Sequence, residues 1–534
     1  MIAPMTSEGA SRTAAPRRGP VFGSRYAVAT DHPLVSLAAM NVLQRGGNAV
    51  DAAIAAAFVN VVTKPDCVHP GGDAFSLIWR RRTNEVDCLN AGGRAPHGAT
   101  LDLFADGIPS LGARASTVPG LVDALLELHV TYATLPLEAL LAPAVHHAKE
   151  GFPVSQRLSR LMATLAEDAS PQSAEARSVF LKVGAPYAPG ETLRQPELAQ
   201  TLRRIAEDER EGFYGGETAE RIAREMAAAG GLIDKDDLAE QTAVWSEPIK
   251  TAYAGCEVYE QALPSQGIIL LEALNIVEAF PLRDWGAGSA DAIHVMVEAV
   301  KMAFADRRRY AADPLVEEVP LERLLSKEHG RARAAEIDLR VAKERPPALL
   351  AGDTTEFVVG DEEMAVAFIQ SIFAPWGSRF VVPGTGVLMN NRLRAFSLDP
   401  ANPNHLAPGK RAMHTLNTFM ALHDGRLVVG GGTPGADYQV QSNLQSLVGV
   451  LDWGMDLQST VDMPRWGVMA DGALGLEGRF PDAVFDDLAS RGHVVQRLGD
   501  WDVNLAKSQL IASTATGGWA VASDLRGEGV ALGH

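Results

Sequence analysis

The periodicity of apolar residues changes character once along this chain, near residues 353–354, and that change constrains the fold more than any other feature. Upstream, helical spacing dominates. It runs from Pro33 to Gln44, closes at Gly46-Gly47, and resumes from Asn48 with Asn48 or Asp51 near the N-cap. Further helical patterns cover Gly120–Ala133, Leu137–Lys149, Gln195–Glu207, Thr218–Ala229, Ile268–Val277 and, longest of all, Ala290–Asp306. Short strand patterns at Tyr26–Thr30, Phe75–Trp79, Glu85–Leu89, Ile249–Ala252 and Glu257–Glu260 interrupt them. Residues 327–352 turn charged and pass through Arg345-Pro346-Pro347, a linker composition. Downstream the texture is strand-led. Glu356–Val359 and Met364–Ser371 flank the acidic turn Gly360–Glu363, and Gly386–Met389, Thr415–Leu422, Arg426–Gly430, Gln509–Ala512 and Trp519–Ser523 follow. Helices return at Gln439–Leu451 and Pro481–Ser490. Two periods in one chain predict a layered α/β or α+β fold, with sheets covered by helices.

Composition excludes several classes of function. A net charge of −18 over 534 residues repels polyanions, so nucleic-acid binding would need a dense local basic patch. Arg80-Arg81-Arg82 reads as a solvated hairpin turn, and Arg307-Arg308-Arg309 as cations meeting a helix C-terminal dipole. The three cysteines, Cys67, Cys88 and Cys256, lie far apart, without metal-ligand spacing. They predict neither a disulfide framework nor a metal site, and they suit a reducing cytoplasm. No apolar run reaches the ~18 residues of a membrane span. Residues 1–25 have no apolar signal-peptide core and read as an unstructured leader. Residues 26–353 and 354–534 form the expected large and small parts.

Gly352-Asp353-Thr354-Thr355 places a polar turn directly before the apolar strand Glu356–Val359. If the Asp353–Thr354 bond is cut, Thr354 starts that strand carrying both a hydroxyl and a free α-amine. A threonine hydroxyl needs a base to take its proton. An α-amine, with an unperturbed pKa of about 7.7–8.0, supplies one near neutral pH. Thr-Thr before a strand is common in itself, so this chemistry gains weight from what surrounds it.

"VLQRGGNAVDAAIAAAF", "HPGGDAFSLIW", "LNAGGRAP" and "LPSQGIILLEALNI" occur in order before Thr354. After it come "VPGTGVLMNNRLRAFSLDP", "PGKRAMHTLNTFMA", "GGTPGADYQVQSNLQ", "DMPRW" and "ASDLRGEGVALGH". Together they resemble the gamma-glutamyltransferase family of N-terminal-nucleophile (Ntn) hydrolases from about Tyr26 to the C-terminus. The resemblance implies an αββα sandwich built by both processed chains, with autocleavage between Asp353 and Thr354. It makes Thr354 the nucleophile and Ser371 the hydroxyl supporting its amine. Gly435 and Ala436 take the place of the backbone oxyanion donors, a small-residue turn suited to aiming two N–H groups at one anion. With no GxGxxG opening a helix and no cluster of metal ligands in the sequence, neither a cofactor nor a metal is expected. The partners the resemblance implies are a small amide substrate and the two subunits of one precursor, compatible with a homodimer of processed heterodimers.

The glutamate-reading positions depart from the family. Gly92 replaces the carboxylate-binding arginine, Ala395 the acidic residue that binds the substrate ammonium, and Phe373 an asparagine. His414 and Thr415 stand at a serine pair. Arg392, Arg394, Arg94 and His414 then predict a pocket for a carboxylate-bearing acyl group without an α-ammonium, since a buried ammonium needs an anion. His69, beside Pro70-Gly71-Gly72, is read either as lining the cleft or as a packed loop histidine. These spellings resemble the glutathione-hydrolase-like and oxamate-amidohydrolase-like branch. Alternatives are a gamma-glutamyl hydrolase or transpeptidase, a cephalosporin or glutaryl acylase, and an unprocessed non-catalytic relative.

Overall fold

A computed structural model of the continuous chain describes residues 18–344, 349–350 and 352–534. The strands of its two large sheets, in chain order, begin with β1 (Val21–Gly23), β2 (Ala27–Thr30), β3 (Asp73–Arg80), β4 (Glu85–Ala91) and β5 (Val244–Ser246). Next come β6 (Ile249–Tyr253), β7 (Cys256–Glu260), β8 (Thr355–Gly360), β9 (Met364–Ser371) and β10 (Phe419–His423). The last four are β11 (Arg426–Gly432), β12 (Gln509–Ser513), β13 (Trp519–Ser523) and β14 (Val530–Gly533). They form two antiparallel seven-stranded sheets, ordered β14-β2-β8-β9-β3-β4-β5 and β1-β13-β12-β11-β10-β7-β6.

Alternation along β8 explains the layering. Val358 joins Ala29, Leu77, Trp79, Ala367, Met420, Ile511 and Trp519 in the core between the sheets. Phe357 and Val359 face the other way, onto α1 (Pro33–Gln44) and α2 (Ala49–Thr63). Asn48 caps α2 through a reciprocal capping box with Asp51. On the far side, α4 (Gly267–Val277), α5 (Ala290–Tyr310) and α6 (Tyr438–Leu451) cover Val258, Phe419, Val429 and Leu510 of the second sheet. Helix, sheet, sheet and helix give the expected αββα sandwich. One further helix matters to the site, α3 (Gln156–Glu167), capped by Ser155.

Strand register gathers the functional residues at one end of the sandwich. Thr355 pairs with Gln370 and Ser371 with Asp73, so the starts of β8 and β3 meet the end of β9. In the second sheet Gly432 pairs with Gln509, which sets the turn after β11 beside the residues preceding β12.

Three expectations need correction. The expected leader of residues 1–25 includes Val21–Gly23, which pairs with Trp519–Val521 as an edge strand, held by backbone bonds rather than an apolar face. Residues 1–17 lie outside the described residues. The strand expected from Thr415 begins at Phe419, because the preceding backbone bonds elsewhere: His414 N donates to Pro264 O at 2.7 Å and Thr418 N to Gln261 Oε1 at 2.6 Å. The longest helix runs on to Tyr310, and Arg307 does more than complement its dipole, as described below. The linker residues 345–348 and 351 also lie outside the described residues. Among the described residues no helix is long and apolar enough to cross a membrane.

Candidate active site

Thr354 directly precedes β8 and is buried, at 2 % exposure. The side-chain amide of Gln439, in the first turn of α6, reaches its Oγ at 3.4 Å. The peptide bond before it is held from several sides. Ser371 Oγ donates to the Asp353 carbonyl at 2.8 Å and accepts Phe373 N–H at 2.7 Å, while Asp353 N donates to Phe373 O at 2.8 Å. Ser371 therefore polarises the carbonyl of the bond expected to break.

The Asp353 side chain is bound as firmly. Lys507 Nζ and Thr354 N–H both donate to its Oδ1, at 2.8 and 2.9 Å, and Arg157 of α3 pairs with its Oδ2. Burial pushes this carboxyl up, but the Lys507 ammonium and the Arg157 guanidinium outweigh it and hold it well below the usual carboxylate range. Arg157 also bonds Asp66 at 2.8 Å, and Cys67 Sγ donates to Asp66 at 2.8 Å. Asp66, Cys67 and Asp353 bring three side chains of metal-ligating type together, yet Arg157 and Lys507 already serve their charge.

Gly435 and Ala436 lie opposite, in the turn between β11 and α6. Both have positive φ, +124° and +50°, and at alanine this left-handed geometry costs about 1–2 kcal/mol. A buried ion pair anchors the turn: Arg307 donates from Nη1 and Nη2 to Asp437, at 2.7 and 3.1 Å. Gln266 Nε2 adds a bond to Ala436 O at 2.9 Å. The segment before Thr354 fills the gap between this turn and Thr354. Leu350 N donates to Asp437 at 2.6 Å, and a Cβ at Gly352 would lie 2.8 Å from Phe373 O and 3.3 Å from the Ala436 Cβ.

Beside Phe373 lies a second polar cluster. Arg392 is fully buried, its guanidinium carbon 4.5 Å from the Phe373 ring centroid. Nε donates to Asp73 Oδ2 at 3.2 Å and Nη1 to Thr415 Oγ at 3.1 Å. Nη2 is buried with no hydrogen-bond partner among the described residues. His414 lies tilted against Phe75 with ring centroids 4.5 Å apart, accepts Leu416 N–H at Nδ1, and donates from Nε2 to Asp73 at 3.2 Å. Burial, helped by Arg392, pushes His414 down to about 4, so it is a neutral imidazole at pH 7. Burial likewise draws Arg392 down to about 10, against the pull of Asp73.

The fold thus brings Thr354, Ser371, Gly435 and Ala436 together, with Phe373, Arg392, His414 and Thr415 beside them. Arg94 and Arg394 do not join them. Arg94 points outward to Thr242, 3.4 Å away, because Gly93 before it turns its N–H inward to Asp73; Arg394 is exposed. His69 proves a packed loop histidine, accepting Leu388 N–H at 2.9 Å. The Arg392 cluster holds one acid of its own. Asp73 sits in it, but accepts from Gly93, Arg392 and His414, which leaves little capacity for an ammonium. Asp73, Arg157, Lys507 and Gln439 escaped sequence reasoning. Only Asp73 left a signal, a charged residue opening an otherwise apolar strand.

Comparison with known proteins places this arrangement in context. The family model for gamma-glutamyltranspeptidase matches residues 35–534. The glutathione hydrolase-like YwrD proenzyme of Bacillus subtilis is 35% identical over 526 residues, spanning 96% of this chain and 99% of that protein. The oxamate amidohydrolase proenzyme of Klebsiella pneumoniae is 36% identical over 519 residues, 94% and 97% of the two chains. The crystal structure of cephalosporin acylase from Bacillus halodurans superposes with a TM-score of 0.90 at 34% identity, covering 100% of this chain and 99% of that one.

Proposed function

The chain belongs to the gamma-glutamyltranspeptidase family, and from that premise we propose that it is an amide hydrolase made as a precursor, cut between Asp353 and Thr354, and selective for acyl groups that carry a carboxylate and no α-ammonium. The single observation behind the substrate class is the free Nη2 of Arg392. A guanidinium nitrogen buried beside the cleft without an acceptor is costly unless a ligand supplies one. A carboxylate meets that need, with charge-assisted bonds stronger than neutral ones. The relatives named as an oxamate amidohydrolase and an acylase are compatible with such a substrate.

Processing starts from the geometry of the intact chain. Thr354 Oγ attacks the Asp353 carbonyl carbon, whose oxygen already accepts from Ser371. The C–N bond breaks, its nitrogen takes the proton, and the acyl group moves to Oγ as an ester. Water hydrolyses the ester, leaving residues 1–353 and a second chain, residues 354–534, that opens with a free amine.

In turnover the α-amine takes the Thr354 hydroxyl proton, directly or through one water, as Oγ adds to the substrate carbonyl. The Gly435 and Ala436 N–H groups hold the oxyanion, and left-handed geometry at both residues serves that aim. The leaving amine departs with the proton, and water deacylates Thr354. Steady-state assays of oxamate and dicarboxylic monoamides beside gamma-glutamyl anilides test the specificity. Turnover restricted to the carboxylate amides is expected; efficient gamma-glutamyl turnover would overturn it. As enzymes in a reducing cytoplasm need no disulfides, we also assign the protein to that compartment; its three cysteines are free thiols.

A further inference from the structure

The buried charges around Asp353 balance, three cations against three carboxylates, with Arg157 shared between Asp66 and Asp353. Lys64 bonds Asp31 at 2.6 Å, Arg157 bonds Asp66 at 2.8 Å, and Lys507 bonds Asp353 at 2.8 Å. Burial pushes the Cys67 thiol and the Glu356 carboxyl up, which favours their neutral forms. Glu528 caps the N-terminus of α3, accepting Arg157 N–H at 3.1 Å, and cleavage does not alter it. Across the cleft, Asp73 faces Arg392 and Asp437 faces Arg307, two further neutral pairs. In the uncut chain the surroundings of Thr354 are therefore balanced.

Cleavage breaks the balance at one point. Thr354 N and Lys507 Nζ share the same acceptor oxygen, so their separation cannot exceed the sum of the 2.9 and 2.8 Å bonds. A substrate carbonyl can reach the Gly435–Ala436 turn only if the segment at 352–353, wedged between Phe373 and Ala436, moves out. The Asp353 carboxylate leaves with it. Lys64 keeps Asp31, Arg157 loses one carboxylate but keeps Asp66, and Lys507 alone is left without an anion.

We propose that Lys507 is a positioning residue that keeps the α-amine of processed Thr354 in its unprotonated, proton-accepting form, and that departure of Asp353 switches this effect on. A like charge a few ångströms away disfavours the ammonium form of the amine. In the precursor the same lysine does the opposite work, holding Asp353 and with it the scissile carbonyl. One residue thus serves processing in one charge state of the site and turnover in the next. The inference rests on the proposed cleavage before Thr354 and on the amine as base.

The test is the pH dependence of kcat/KM for wild type, Lys507→Met and Lys507→Arg, each first checked for cleavage by denaturing gel. The acid limb of wild type should fall about one unit or more below the 7.7–8.0 of a free α-amine. Lys507→Met should move it up by about one unit, a loss near tenfold at pH 6 that shrinks as the pH rises. Lys507→Arg should restore the wild-type limb. A Lys507→Met loss equal at every pH would show a merely structural role and overturn the proposal. If Lys507→Met is not cleaved, the wild-type limb decides: at 7.7 or above the proposal fails. Failure of the underlying reading looks different, as an uncut wild-type chain or cleavage at another bond.

Discussion

Replacing Arg392 by methionine removes one charge from a fully buried cluster and separates binding from chemistry. Two costs follow, and they have different signatures. The first is structural. Asp73 loses its Nε partner but keeps the Gly93 N–H at 2.7 Å and the His414 Nε2–H at 3.2 Å. Breaking a buried pair costs about 3–5 kcal/mol when the remaining charge is stranded. Here the loss should lie near the lower end, since two donors stay and His414, released from Arg392, can take up a proton. The second cost falls on substrate. A hydrogen bond to a charged group is worth about 1.5–3 kcal/mol, which converts to roughly 10- to 150-fold in kcat/KM. The assay is the ratio of kcat/KM for a dicarboxylic monoamide to that for a neutral amide of the same length, in wild type and Arg392→Met. The ratio should fall by that factor while turnover of the neutral amide changes little. Arg392→Lys, which keeps the charge but loses the fork, should recover only part of it. An equal loss on both substrates would show that Arg392 supports the cleft without reading a carboxylate, and the specificity argument would be refuted.

Other consequences can be checked with simpler measurements. Ser371→Ala should slow cleavage about 10²–10³-fold, as expected for loss of one donor to a developing oxyanion, followed by the appearance of the smaller band over time; cleavage at the wild-type rate would remove Ser371 from the mechanism. Arg307→Leu should strand Asp437 beneath the oxyanion turn and cost about 3–5 kcal/mol, seen as a lower urea midpoint and impaired turnover; an unchanged midpoint would contradict the buried pair. His32, His69 and His414 are pushed by burial down to about 4, 3 and 4, below their ordinary 6.5. The unfolded chain therefore binds protons first as the pH falls, and each group costs about 1.4 kcal/mol per pH unit below 6.5 until its folded value is reached. Urea midpoints should drop steeply between pH 6.5 and 4, whereas a flat profile would contradict their burial as neutral groups.

How much of this was legible in the sequence depended on the range of the interaction. The start of α2 near Asn48 and the β8–β9 hairpin are local, and they read directly, although only the structure shows that Asn48 and Asp51 cap the helix together. So did the change of period at residue 354, because it reflects a strand that starts where a linker ends. The helix Gln156–Glu167 has Leu158, Met162 and Leu165 on one face but was overlooked in a long helical stretch. Arg157, on its first turn, was overlooked with it. Arg157, Lys507 and Asp73 are single charged residues far from Thr354 in sequence, and only β-sheet register and helix packing bring them to it. Arg94 erred for a related reason. Its neighbour Gly93 spends its N–H on Asp73, and that turn sends the arginine outward, a three-residue detail no composition reveals. Phe373 was read from an exchanged position alone, and its role emerged as a surface for the Arg392 guanidinium.

The central claim is that Thr354 cuts the chain before itself and then serves as nucleophile. Its most direct test is a denaturing gel of purified wild type and Thr354→Ala, with N-terminal sequencing of the smaller wild-type band. Wild type should give a large and a small fragment, the small one opening Thr354-Thr355-Glu356-Phe357, while Thr354→Ala stays a single chain of 56.8 kDa without amidase activity. An uncut yet active wild type, or a small fragment with any other N-terminus, would contradict the account.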